Sequence, residues 1–194
     1  MRSRRLAAGL AVLAWTPSAL AAGTPATALD AARLGGDFAM TGVVTRAVGV
    51  AGEQVGEHVT RIWAFLPSCT AGGCPTIALV RKRAGGTDEL LLQRRGPAFY
   101  SGTGAFYAPV RCHGRRYAKG ALVVFTITVR ITGAVANGPV IEATEIHAHY
   151  RNPARLGLTP CFSAPSYDSA SYDGAPLAAG AIRSVPSTRS STGS

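Results

Sequence analysis

The sequence predicts an all-β protein: an antiparallel meander of seven or eight strands, closed as a barrel or stacked as a two-layer sandwich, and stapled by disulfides. Three observations carry this. Apolar and polar residues alternate with a period of two along most of the chain, which is the signature of strands with one buried face. Short Gly-, Pro- and Asn-Gly-containing turns separate the runs. No amphipathic helical pattern of ordinary length interrupts them. An apolar content of 47% is enough for a real core, and 194 residues fit one domain with tails.

The N-terminus reads as an export signal. Arg2, Arg4 and Arg5 form a basic segment, Leu6 to Trp15 an apolar run, and Ala19-Leu20-Ala21 a small-residue cleavage site. Residues 1–21 are therefore expected to be a signal peptide, with Ala22 as the mature N-terminus. The apolar run of about ten residues falls short of the ~20 needed to span a bilayer. No later run is long enough either, so the mature form is expected to carry no transmembrane segment. Residues 22–35 form a leader with a short helix at Leu29 to Leu34, residues 36–165 the β-domain, and residues 166–194 a flexible tail rich in Ser, Ala and Gly.

Within the domain, Phe38, Met40, Gly42 and Val44 alternate with Ala39, Thr41, Val43 and Thr45. Val55 to Leu66 follows, with Val59, Arg61, Trp63 and Phe65 on one face. Thr76 to Arg83 leads through Gly85-Gly86 into Leu90-Leu91-Leu92, a hairpin that sets Arg83 near Asp88 or Glu89. Phe99 to Cys112 contains Gly102, Gly104 and Pro109 and is expected to be a bulged strand or two short ones. Leu122 to Thr132 is the strongest strand, with Val123, Phe125, Ile127, Val129 and Ile131 on its core face. Val140 to Tyr150 closes the series after an Asn137-Gly138-Pro139 turn.

Cys69, Cys74, Cys112 and Cys161 make an even set, which in an exported protein reads as disulfides. Of the three connectivities, Cys69–Cys74 with Cys112–Cys161 is favoured, because the first pair brackets a tight Thr70-Ala71-Gly72-Gly73 turn. The chain-entropy model assigns about 2 kcal/mol to the short loop and about 4 kcal/mol to the long one. Zinc is the rival, weakened by the presence of only one closely spaced pair.

The formal charge is +10, from 20 basic against 10 acidic residues, and three of the basic residues lie in the leader peptide. Scarce Lys beside abundant Ala, Gly and Arg matches the codon bias of a high-GC bacterium. Arg81, Lys82, Arg83, Arg94 and Arg95 are candidates for a surface that meets an anionic cell-envelope polymer, against the plainer reading of a solvated strand end. Nothing matches a nucleic-acid-binding module. Glu145, His147 and His149 share one face of a strand and are candidate metal ligands. The opposite face, Thr144, Ile146, Ala148 and Tyr150, is the better core face, so the trio is expected to point outward. No nucleophile elbow, paired glycosidase carboxylates or phosphate loop is present, so no catalytic residue and no cofactor is assigned. The repeat of Ser166-Tyr167-Asp168 as Ser171-Tyr172-Asp173 is expected to pack a tyrosine or two against the domain.

Gly36-Asp37-Phe38, after a short helical segment, resembles the Gly-x-Trp opening of lipocalin-type barrels, with Phe in place of Trp. The stretch Arg61-x-Trp63-x-Phe65-x3-Cys69-x4-Cys74 is similar to secreted β-domain proteins of unknown function from actinobacteria. These resemblances imply a fold and an extracellular or envelope-associated address, and no activity. The expected role is a non-catalytic binding or structural one. The alternatives are a carrier for a small apolar ligand inside a barrel and a metal-dependent enzyme at Glu145, His147 and His149.

Overall fold

A computed structural model describes residues 24–83, 86–161 and 165–177. The expected signal peptide, the turn residues 84–85 and the end of the tail lie outside the described residues. One short helix, α1 (Ala26–Ala31), precedes eight strands: β1 (Gly36–Val48), β2 (His58–Pro67), β3 (Thr76–Arg83), β4 (Gly86–Gly96), β5 (Phe99–Cys112), β6 (Arg115–Asn137), β7 (Val140–Gly157) and β8 (Tyr167–Pro176). Every neighbour in sequence is an antiparallel neighbour in space, and β8 pairs with β1 to close the barrel. Closure decides between the two expected architectures.

The alternation predicts which side chains point in. On β6, Val123, Phe125, Ile127, Val129 and Ile131 are all buried, and on β2 Trp63 and Phe65 are. An eight-stranded barrel is only wide enough for side chains or one small ligand. Here Phe38, Phe65, Ile77, Leu79, Leu92, Tyr100, Ile127 and Ile131 fill the body. Phe38 meets Phe65 edge to face at 5.3 Å between ring centroids, the geometry favoured by the ring quadrupoles.

Three expectations are corrected and one is narrowed. The chain from 166 onward does not begin a tail, because Tyr167–Pro176 is β8 and supplies the closing ladder. Its sequence, Tyr-Asp-Ser-Ala-Ser-Tyr-Asp-Gly-Ala-Pro, is poor in β-branched residues. Ladder bonds to β1 and β7 and the inward Ala170 and Tyr172 hold it extended, a tertiary effect that overrides weak propensity. The short helix runs Ala26–Ala31, three residues before its expected span, and Leu34 instead sits fully buried. The expectation of a bulged strand at Phe99 to Cys112 holds, with the register shift between Ala108 and Val110, around Pro109, and with Gly102 and Gly104 inside the continuous strand. A Cβ on Gly104 would lie 2.5 Å from Cζ of Phe125, so that glycine makes room for the ring across the ladder. Finally, β6 and β7 run well beyond the expected limits, to 23 and 18 residues.

The two ends of the barrel differ. At one end α1 and the segment after it form a plug. Arg33 exchanges backbone hydrogen bonds with β7, its N–H donating to Ile141 O at 2.8 Å and its carbonyl accepting from Ala143 N at 3.0 Å. This seats Ala32 and Leu34 in the core. Cys69–Cys74 closes the β2–β3 loop against the plug, where Arg33 Nε donates to Cys69 O at 3.2 Å. Cys112–Cys161 ties the projecting β5–β6 hairpin to the segment after β7, near the opposite end. Both bridges pair as the spacing favours.

The one-sided burial of β6 makes a direct test. Phe125→Ala is expected to cost about 3–5 kcal/mol through lost burial and a cavity. Thr126→Ala, on the outer wall, should stay within about 0.5 kcal/mol. Denaturant unfolding of the two variants measures both, and equal losses would mean that the wall carrying Thr126 is buried too.

Candidate functional site

The end opposite the plug is open. A cavity of about 410 Å³ enters the barrel there, between the β1–β2 loop and the inner faces of β2, β3, β5, β7 and β8. Its lower wall is aromatic: Trp63, Phe106, Tyr150 and Tyr172 line it, and the Trp63 and Tyr172 centroids stand 5.2 Å apart. Tyr172 reaches this position because β1 carries Gly42 across from it. A Cβ there would fall 2.3 Å from the Tyr172 ring.

Charged side chains line the same mouth. Arg81 and Asp88 face each other across the β3–β4 ladder and both point inward. Arg81 Nε donates to Asp88 Oδ1 at 2.7 Å, and Nη2 donates to Oδ2 at 3.0 Å. Arg83 Nε also bonds Asp88 Oδ2. The guanidiniums lie over aromatic faces: Arg81 is 4.1 Å from the Phe125 centroid, and Arg83 is 3.8 Å from that of Phe106. Stacking of this kind suits the planar, weakly hydrated guanidinium. Across the mouth, Arg155 Nη2 donates to Asp168 Oδ1 at 2.8 Å and lies 3.7 Å from Glu53 Oε1. Arg155 Nε is buried with no partner among the described residues.

Burial, then the neighbouring Asp168, pushes the Glu53 carboxyl above its ordinary value, against the pull of Arg155. Burial raises the Tyr150 phenol, with Asp168 adding to it and Arg81 and Arg155 opposing. The Tyr172 phenol is likewise raised by burial, against Arg61 and Arg81. Both phenols are protonated at neutral pH and present O–H donors to the cavity.

The candidate surface arginines separate into different roles. Arg81 and Arg83 do not belong to an outer basic surface, since odd positions of β3 point into the barrel. Arg94 binds the plug instead: its guanidinium meets Asp30 Oδ1 and donates to Gly73 O at 3.0 Å. Lys82 and Arg95 are exposed on the outer wall. The two clusters are not neighbours, because antiparallel pairing sets Arg83 against Gly86 and Thr76 against Gln93. They stand at opposite ends of the hairpin, roughly 20 Å apart at 3.3 Å per residue. The expected charge pair on this hairpin is present as Arg83–Asp88.

Glu145, His147 and His149 lie on the outer wall, as the alternation predicts. Both ring nitrogens of His147 are engaged by β8, Nδ1 with Asp173 Oδ1 at 2.8 Å and Nε2 with Ser171 Oγ at 3.2 Å. Burial, His147 and Arg151 lower the His149 pKa. Among the described residues one cluster has metal-ligand spacing, Cys112, His113 and Cys161, and its two sulfurs are joined in the disulfide.

Sequence reasoning missed the mouth as a site. Glu53, Arg155, Asp168 and Tyr172 come from a loop, a strand extension and a segment read as tail, so no local spacing joins them. The available signal was charge at core-face positions: Arg61, Arg81 and Asp88 interrupt inward rows that are otherwise apolar.

A scan against protein-family models finds no match, and comparisons with curated proteins and with solved structures find no significant relative.

The raised Glu53 carboxyl sets a pH dependence. The folded state holds the Glu53 proton more tightly than the unfolded state, so stability falls as pH rises from about the ordinary value of 4.5 through the raised value. Thermal melts across pH should show the wild type losing ground to Glu53→Gln over that window, with the gap smallest in acid. A gap that grows toward acid would mean that Arg155 outweighs burial and Asp168.

Proposed function

We propose that this chain is an exported bacterial β-barrel that binds a small organic molecule in its open mouth, in a non-catalytic role outside the cell or at its envelope. The observation that carries the proposal is the asymmetry of the barrel interior. One end is packed and plugged, while the other keeps a cavity of about 410 Å³ whose walls mix five aromatic side chains with several inward-pointing charges. Small-ligand sites commonly have volumes of 300–1,000 Å³, apolar walls and a few placed polar groups. The lining argues against a purely apolar cargo, because Arg61, Arg81, Arg83 and Arg155 all border it. Export rests on the residue pattern of 1–21 and agrees with two disulfides, which persist in oxidising compartments. No helix among the described residues is long and apolar enough to cross a membrane.

The test uses N-phenyl-1-naphthylamine, a neutral aromatic probe that brightens in apolar sites. With residues 1–21 removed, Trp63 is the sole tryptophan of the chain and stands in the cavity wall. Saturable one-to-one binding with energy transfer from Trp63 is expected. Ala108→Phe, which places a ring in the mouth, should abolish it while leaving the melting temperature near that of the wild type. Absence of saturable binding, or binding indifferent to Ala108→Phe, would overturn the proposal.

A further inference from the structure

We infer that the mouth selects an aromatic monoanion, with the anionic group held at Arg61 on the β2–β3 wall and the ring on the aromatic floor of the cavity. This inference rests on the small-molecule reading above and names the ligand class.

Four arginines border the cavity, and three carboxylates neutralise them unevenly. Asp168 and Glu53 both turn to the single Arg155. Asp88 alone serves Arg81 and Arg83. Arg61 has no carboxylate partner among the described residues, and its Nη1 donates only to the adjacent Thr60 carbonyl at 2.8 Å. The β2–β3 register pairs Ile62 with Lys82 and Trp63 with Arg81, so continuing it places Arg61 level with Arg83 at the rim, one layer above Trp63 and Arg81. That wall therefore carries three guanidiniums and one carboxylate, a local excess of two positive charges beside a low-dielectric aromatic surface. The opposite wall, with Arg155, Asp168 and Glu53, carries no such excess.

An anion entering this mouth meets a graded field. Coulomb attraction is stronger in a partly desolvated cleft than in water. Arg61 and the outer nitrogens of Arg83 provide the fork geometry that suits carboxylate or sulfonate oxygens. Behind them lies an aromatic floor, with Phe106, Tyr150 and Tyr172 bordering the cavity and Trp63 buried beneath Tyr172, and the protonated Tyr172 hydroxyl is a further donor. A neutral molecule can use the same aromatic floor but gains nothing from the Arg61 guanidinium and binds more weakly than the anion, and a cation would be repelled by the same wall.

The test compares 2-naphthoate with its neutral isostere 2-naphthamide by calorimetry and Trp63 fluorescence, on the disulfide-bonded chain lacking residues 1–21. The naphthoate should bind about tenfold or more tightly than the amide, equivalent to about 1.4 kcal/mol. The preference should shrink as salt rises. Arg61→Gln should bring the acid's affinity down to that of the amide, and Arg61→Lys should restore part of the difference. Equal affinities for acid and amide in the wild type would overturn the anion inference and leave the binding cavity standing. A preference that survives Arg61→Gln would overturn the assignment to Arg61. Failure of acid, amide and neutral probe alike would overturn the binding reading itself.

Discussion

The Asp88 carboxylate, buried between Arg81 and Arg83, is the constraint on which the shape of this barrel depends. Inward positions of a narrow eight-stranded barrel normally close over one another. Here the β3–β4 hairpin instead drives two guanidiniums and a carboxylate into the interior at one end. Burying these groups is tolerable only because the carboxylate accepts from both arginines and the arginine faces rest on Phe125 and Phe106. Once they are there, apolar side chains cannot fill the space above them, and a cavity remains.

The rest of the molecule is arranged around that asymmetry. The plug segment, held by Arg33 on β7 and by Arg94 on Asp30, covers the apolar end, where an unpacked barrel would expose Phe38, Leu92 and Ile131. The disulfides act near opposite ends: Cys69–Cys74 shapes the loop that meets the plug, and Cys112–Cys161 anchors the hairpin that projects past the mouth. Barrel closure by β8 then brings Asp168 and Tyr172 opposite Arg81. The two walls of the mouth thus derive from distant parts of the chain, β2–β4 on one side and β7–β8 with the β1–β2 loop on the other.

Much of this was legible in the sequence, for a physical reason. The inward rows of β1 and β6 are nearly unbroken in their apolar alternation, and those of β2 and β3 are apolar up to the arginines at the mouth, so strand identity and facing follow largely from period. The Cys69–Cys74 pair was favoured by its tight turn, and Cys112–Cys161 then followed as the remaining pair. What was not legible lies where propensity and pattern are weak. The β8 sequence, Tyr-Asp-Ser-Ala-Ser-Tyr-Asp, is extended only because β1 and β7 offer it ladders on both sides. Arg81 and Arg83 alternate with Lys82, so composition groups all three as one basic cluster although only Lys82 faces outward. The outward placement of Glu145, His147 and His149 did follow from the alternation, because Ile146, Ala148 and Tyr150 make the better core face. Glu53 sits on a loop between strands, where no periodicity reports direction.

A double-mutant cycle on Arg81 and Asp88, read by denaturant unfolding, tests the central claim most directly. Asp88→Leu is expected to cost about 3–5 kcal/mol, because it leaves the buried Arg81 guanidinium unpaired, and Arg81→Met is expected to cost less, because Arg83 still bonds the Asp88 carboxylate. The double variant should recover a large part of that loss as apolar side chains settle into the mouth, and it should lose the neutral naphthylamine probe as the cavity fills. Single variants that are silent would show that water reaches the pair freely. A double variant as unstable as the sum of the singles, with probe binding intact, would contradict the view that buried charge keeps the barrel open.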